Sequence, residues 1–269
     1  MFSKSKLFGL VVVVLVVFAV LAVVYERESV LISRDYDDIR EDSVLHVVME
    51  YMPSSYERVG DSIVGEQYAL VQSLSEYLSL PVEIHLENDL TKSIEGLKIG
   101  KYDLIARLIP VTTELREEVA FTDKLSLDKQ VLVQRRRGDT TSRFVSSQLE
   151  LPSKKIIVTQ ASPYIQRLKN LEKEIGDTLV VEEMSDYNAE QLVMLVSGGD
   201  IDYTVCDYET AARLAGQYRN IDISTEISFS QLQSWAVRQD ASVLLDTVNA
   251  WIRSVREKSC RKTKKGTDR

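Results

Sequence analysis

Two cysteines and two histidines are all that 269 residues offer to disulfide, metal or imidazole chemistry. Cys206 sits in an apolar stretch and Cys260 in a basic tail, a pair that builds neither a disulfide framework nor a cysteine metal site. His46 and His85 fall in strand-like segments, so a histidine triad or zinc site has little to draw on. No metal and no cofactor is expected. Glycine (11) and proline (5) are scarce, which argues against extensive disorder. Basic residues are also outnumbered, 33 Lys and Arg against 41 Asp and Glu, for a net charge of -8. Nucleic acid is therefore not the expected partner. The remainder, 44% hydrophobic and 28% charged, is ordinary globular composition, in a chain long enough for one large or two modest domains.

Leu7 to Val24 is an apolar run without a single charge. A bilayer span needs roughly 17–25 residues and a signal-peptide core roughly 7–15, so this length favours a membrane anchor. Val20-Leu21-Ala22 offers a weak cleavage site, and the alternative is a cleaved signal. Lys4 and Lys6 precede the run and the mixed Glu26-Arg27-Glu28 follows it. That asymmetry puts residues 1–6 in the cytoplasm and exports the rest. Residues 25–43 read as a charged stalk without periodicity. The expected location is the inner membrane, with the soluble part facing the periplasm.

The soluble part opens with a strand over Val44 to Met49 and a polar turn at Pro53, Ser54 and Ser55. After Gly65 comes a helix with Leu70, Val71, Leu74, Tyr77 and Leu78 at helical spacing. A strand over Val82 to Leu86 and an amphipathic helix over Leu90 to Ile99, stopped by Gly100, complete a β-α-β-α order. They feed the central stretch, Lys101 to Thr122. There a buried strand ends at Pro110, and Thr112 or Thr113 caps a short helix with acidic residues in its first turn. A helix start beyond the C-terminal end of a parallel strand is where open α/β sheets bind ligands.

Gln130 to Arg136 forms the next strand, and the polar segment Arg137 to Ser147 marks a candidate crossing between lobes. A second α/β unit begins with Lys155 to Gln160 and a helix opened by Ser162-Pro163. Strands over Leu179 to Met184 and Ile201 to Asp207 follow, each leading into a helix. Gly199-Asp200-Ile201-Asp202 before an apolar strand echoes Gly100-Lys101-Tyr102-Asp103, which suggests two lobes of like pattern. A strand over Leu232 to Arg238, a helix over Ser242 to Val255 and a basic tail end the chain.

The resemblance to a known family rests on several short segments in order. They are Gly65-Glu66-Gln67-Tyr68-Ala69-Leu70, Gly100-Lys101-Tyr102-Asp103, Thr112-Thr113-Glu114 with Val119-Ala120-Phe121-Thr122, Ile201-Asp202-Tyr203-Thr204 with Asp207, and Trp235-Ala236-Val237-Arg238. With these the chain resembles the type 2 periplasmic solute-binding proteins of family 3, the amino-acid-binding group. Within that group it is similar to the substrate-binding-like domain of the membrane-bound lytic transglycosylases F. The resemblance implies a two-lobed α/β fold, preceded here by one N-terminal transmembrane helix. The lobes are expected at 44–131, 132–222 and 223–257, the last returning to the first lobe, with a tail over 258–269. It further implies a small amino-acid-like or peptidoglycan-peptide ligand held by cleft closure, and a partner that is an ABC permease or a cell-wall enzyme.

In the family an Arg after the Thr turn grips the ligand carboxylate, and an Asp ending the second lobe's strand takes the amino group. The Asp position falls on Asp207, which reads equally as a helix N-cap. The Arg position falls on Leu115, so Arg116 or Arg107 is the candidate replacement. Ser162 is a further candidate contact or a plain cap, and Tyr51, Ser54 and Tyr68 are candidate wall residues of the first lobe. The catalytic domain of the transglycosylases is expected to be absent, and with it enzymatic activity. The alternatives are a regulatory or sensor module of a lytic transglycosylase system and, more remotely, a dehydratase using Glu50 or Asp207.

Overall fold

In the computed structural model, which describes residues 34–138 and 144–267 (side chains as far as Lys258), the chain builds two twisted sheets on one plan. After helix α1 (Tyr36–Asp42) come β1 (Leu45–Met49), a hairpin of β2 (Glu57–Val59) and β3 (Ser62–Val64), α2 (Glu66–Leu78), β4 (Val82–Leu86), α3 (Leu90–Lys98) and β5 (Leu104–Pro110). A single turn α4 (Thr113–Arg116) and short strands β6 (Ala120–Phe121) and β7 (Ser126–Asp128) follow. The second sheet then takes β8 (Gln130–Arg135), β9 (Lys155–Thr159), α5 (Pro163–Ile175), β10 (Val180–Met184), α6 (Ala189–Gly198), β11 (Tyr203–Asp207), α7 (Tyr208–Gln217) and β12 (Ile221–Asp222). The chain returns with β13 (Gln231–Val237) and α8 (Ser242–Thr267).

The strand orders are β4-β1-β5-β13-β6, with β7 also on β13, and β10-β9-β11-β8-β12. In each sheet the middle strand has a parallel neighbour on one side and an antiparallel one on the other. The repeated Gly-x-x-Asp lands just ahead of those middle strands, β5 and β11. Asp103 is buried, pairs with Arg34 at 2.8 Å and accepts the His46 amide at 2.9 Å. Asp202 pairs with Arg135 at 2.6 Å. Each carboxylate thus fixes the entry to a central strand.

The apolar run of β5 is buried because helices cover both faces of its sheet. On one face Val47, Met49 and Leu104 pack with Val71 and Leu74 of α2 and with Leu244 and Val248 of α8. On the other, Val48 and Ile105 meet Leu90, Ile94 and Leu97 of α3. Trp235 stacks on Trp251 at 5.4 Å between ring centroids, and its Nε1 donates to Gln67 at 2.7 Å. The second lobe has its own core around Val131, Val133, Ile156, Val158, Leu168, Val193 and Val205.

Two expectations change. Residues 36–42 of the supposed stalk form α1, whose Ile39 is fully buried in the first core. Asp35 caps that helix, and its carboxylate also accepts the amides of Val243 and Leu244 at 3.0 and 2.8 Å, tying the start of α8 to α1. The crossing to the second sheet falls at Lys129, between β7 and β8, ahead of the polar segment after Arg136. The helix after Thr112 is one turn only. Leu7 to Val24 lies outside the described residues; among those described, no helix is long and apolar enough to cross a membrane.

Candidate functional site

Parallel strands of both sheets end on one cleft, and the residues just past those ends line it. From the first lobe come Glu50 and Tyr51 after β1, Asn88 after β4, and Arg107 within β5. From the second come Thr159 at the end of β9, Ser162 and Tyr164 at the start of α5, Asn188 and Ala189 at the start of α6, and Asp207 at the end of β11. A larger cavity of about 500 Å³ lies within the first lobe between α2 and α8, with a mostly apolar lining of Leu70, Leu125, Trp251 and Ile252. It draws on one lobe only and lies away from the ends of the parallel strands, so the cleft is the candidate site.

Arg107 is 8% exposed and its guanidinium is held at two points. One nitrogen meets the Glu50 carboxylate at 2.7 Å, and the other donates to the Asn88 carbonyl at 3.1 Å. A buried guanidinium needs such a partner, because an unpaired charge in a dry cleft costs several kcal/mol. Its Nε finds no hydrogen-bond partner among the described residues.

Across the gap, Asp207 begins α7 without capping it. Instead its Oδ2 accepts from the Tyr164 hydroxyl at 2.8 Å, and Oδ1 is buried with no partner among the described residues. Burial pushes the Asp207 carboxyl up from 3.8 to about 7, against the lowering effect of the Tyr164 bond. Tyr164 itself is pushed well above the usual phenol range by burial and by the neighbouring Asp207. Ser162 also begins a helix without capping it, and its Oγ, like Thr159 Oγ1, is buried without a partner among the described residues. Thr112 does cap, accepting the Leu115 amide at 3.2 Å. The Thr112 side chain thus caps its helix, whereas the side chains of Ser162 and Asp207 do not cap theirs.

The lobes touch across the cleft. Ser54 donates to Glu190 at the start of α6, 3.0 Å from its hydroxyl and 3.4 Å from its amide, and Asn188 reaches the Tyr51 carbonyl at 3.5 Å. Arg213 of α7 holds Glu190 from behind. In this closed arrangement the cavity is about 30 Å³. Sites that hold small ligands run to roughly 300–1,000 Å³, well above this volume.

Of the residues singled out in the sequence, Tyr51, Arg107, Ser162 and Asp207 line the cleft and Ser54 bridges it. Tyr68 packs edge-on against Tyr56 at 5.6 Å in the first core, and Thr112 serves its own helix. Thr113 and Arg116 are exposed and lie outside the lining. Leu115, in the family's arginine position, packs against the Ile94 and Leu97 side of the core. Thr159, Tyr164, Asn88, Asn188 and Glu190 escaped the sequence reading. The rule that ligands lie past the carboxyl ends of parallel strands marks Thr159 and Asn88 directly.

A family model described as bacterial extracellular solute-binding proteins, family 3, matches residues 44–265. The chain is 26% identical over 241 residues to membrane-bound lytic murein transglycosylase F of Pseudomonas fluorescens, a match covering 88% of this chain and 47% of that protein. The corresponding protein of Saccharophagus degradans is 26% identical over 242 residues, covering 89% and 46%. The chain thus spans about half the length of the curated relatives it matches. Among solved structures, an ancestral arginine-binding protein bound to arginine superposes with a TM-score of 0.69 at 24% identity, covering 80% of this chain and 93% of that one. At that identity the likeness speaks for the fold.

Proposed function

The chain belongs to the bacterial extracellular solute-binding proteins of family 3, and from that premise we propose that it captures a small zwitterionic ligand, an amino acid or peptidoglycan-derived peptide, by closing its two lobes. The observation that carries this reading is the convergence of Arg107 Nε, Thr159 Oγ1, Ser162 Oγ and Asp207 Oδ1 on one cleft. Buried polar atoms are nearly always paired, and four orphans from both lobes in one place match what a ligand would satisfy. Asp207 would take the ligand ammonium, with Ser162 and Thr159 as further donors or acceptors. Arg107 would take the carboxylate, and Glu50, which sits on the guanidinium now, is the group a ligand carboxylate must displace or join. Binding requires no covalent step. The protein would act from the outer face of the membrane, held by the Leu7–Val24 run, and hand its ligand to a permease.

A second reading, in which the cleft reports cell-wall fragments to lytic machinery, draws on the names of the relatives. Calorimetric titration of residues 34–269 with free amino acids and with muropeptides addresses both. Binding of free amino acids supports transport, and binding of muropeptides alone supports cell-wall sensing. No heat from either at millimolar concentration overturns the binding reading. Glu50→Gln should tighten carboxylate binding about tenfold by freeing one charge-assisted bond of Arg107. Unchanged affinity would remove Arg107 from the assigned role.

A further inference from the structure

His46 and His85, the only histidines in the chain, are brought together by the register of the first sheet. β1 and β4 run parallel with His46 beside Glu83, and His85 lies two residues further along β4 on the face that Glu83 shares. His46 Nδ1 lies 3.3 Å from His85 Nε2 and 3.7 Å from a Glu83 oxygen, and His85 Nε2 lies 3.4 Å from the other. We propose that His46, His85 and Glu83 bind one divalent transition-metal ion of the zinc class on the outer edge of the first lobe.

Three arguments support this site. The first is spacing. Zinc sits about 2.0–2.2 Å from imidazole nitrogen and carboxylate oxygen, so ligand atoms around a tetrahedral ion stand about 3.3–3.5 Å apart. The two imidazole nitrogens stand 3.3 Å apart, a Glu83 oxygen lies within 3.7 Å of each, and one donor atom from each of the three residues lies within 4.8 Å of the others without any ion to impose it. The second is the donor set. Two imidazoles and one carboxylate suit zinc, copper or nickel, whereas calcium and magnesium prefer all-oxygen sets. The third is access with support. The two imidazoles are each 27% exposed and Glu83 57%, so the fourth position opens to solvent, while the Tyr102 ring packs on His85 at 5.2 Å and limits its rotation. The site is separate from the cleft: His46 lies near the start of β1, and Glu50 follows its end. A metal there would pin the edge strand β4 to β1.

The alternative is a plain imidazole–imidazole hydrogen bond beside a carboxylate, and the full chain in detergent can separate the two. With only two histidines, imidazole NMR reads the site without mutation. One equivalent of Zn²⁺ should shift both ring systems together. His46→Gln and His85→Gln should each weaken Zn²⁺ binding by more than the about 10–100-fold lost when an outer-sphere partner is removed. Glu83→Gln, on an exposed position, should weaken it while leaving the far-UV circular dichroism unchanged. Movement of neither ring, or of one alone, overturns the proposal, as does unchanged Zn²⁺ affinity in the histidine variants.

Discussion

Asp207 is the residue whose protonation decides most. Its carboxyl titrates near 7 in the folded protein and near 3.8 when unfolded. Between those values the folded state holds a proton that the unfolded state has released, so this group's contribution to stability falls as pH rises from about 4 to about 7. The ceiling on that loss is about 4 kcal/mol, at about 1.4 kcal/mol per unit. Asp207→Asn should flatten this part of the stability profile, as urea unfolding at pH 5 and pH 8 would show. Binding of an ammonium ligand has the opposite sign. The carboxylate form is the one that binds, so affinity should fall about tenfold per unit below pH 7, with one proton released on binding. A flat affinity profile between pH 5 and 8 would remove Asp207 from the ammonium site. The sequence carried Asp207 as cap or contact, and nothing local distinguishes the two. The hydroxyl that occupies its carboxylate instead of a cap amide, that of Tyr164, lies on another element, two positions into α5.

Among the elements, the β2–β3 hairpin and the loop before it show what single-chain patterning misses. Their strands are three residues each with mostly exposed side chains, so no alternation marks them. The helix after them was legible because Val71 and Leu74 repeat at helical spacing onto a buried face. Gly65 joins the two. It has φ 137°, and a Cβ there would lie 2.1 Å from the Ser55 carbonyl oxygen. Gly65→Ala should cost about 2 kcal/mol or more and displace Ser54, the residue that meets Glu190 across the cleft. Denaturant melts would give the loss. A variant within 0.5 kcal/mol of the parent would show that the loop yields at little cost. The polar segment Arg137 to Ser147 marked the crossing too far along, for a different reason. Strands β7 and β8 are separated by Lys129 alone, and no compositional shift accompanies the change of sheet.

At the scale of the whole molecule, the two-lobed plan was readable because both halves repeat the same Gly-x-x-Asp entry to a central strand. The lobes keep separate cores, and both tryptophans belong to the first. Intrinsic fluorescence therefore follows the first lobe, while far-UV circular dichroism follows both. In ligand-free protein the two signals should give different urea midpoints, and saturating ligand should bring them together. Coincident midpoints without ligand would show that the cleft contacts alone couple the lobes. The Asp35 carboxylate, set against the start of α8, has a mechanical consequence. It clasps the first described helix to the last, both on the first lobe. A tether at either end would therefore grip the same half and make it the fixed jaw of a vice, and in the proposed closure the second lobe, hung on two crossings, would be the jaw that swings.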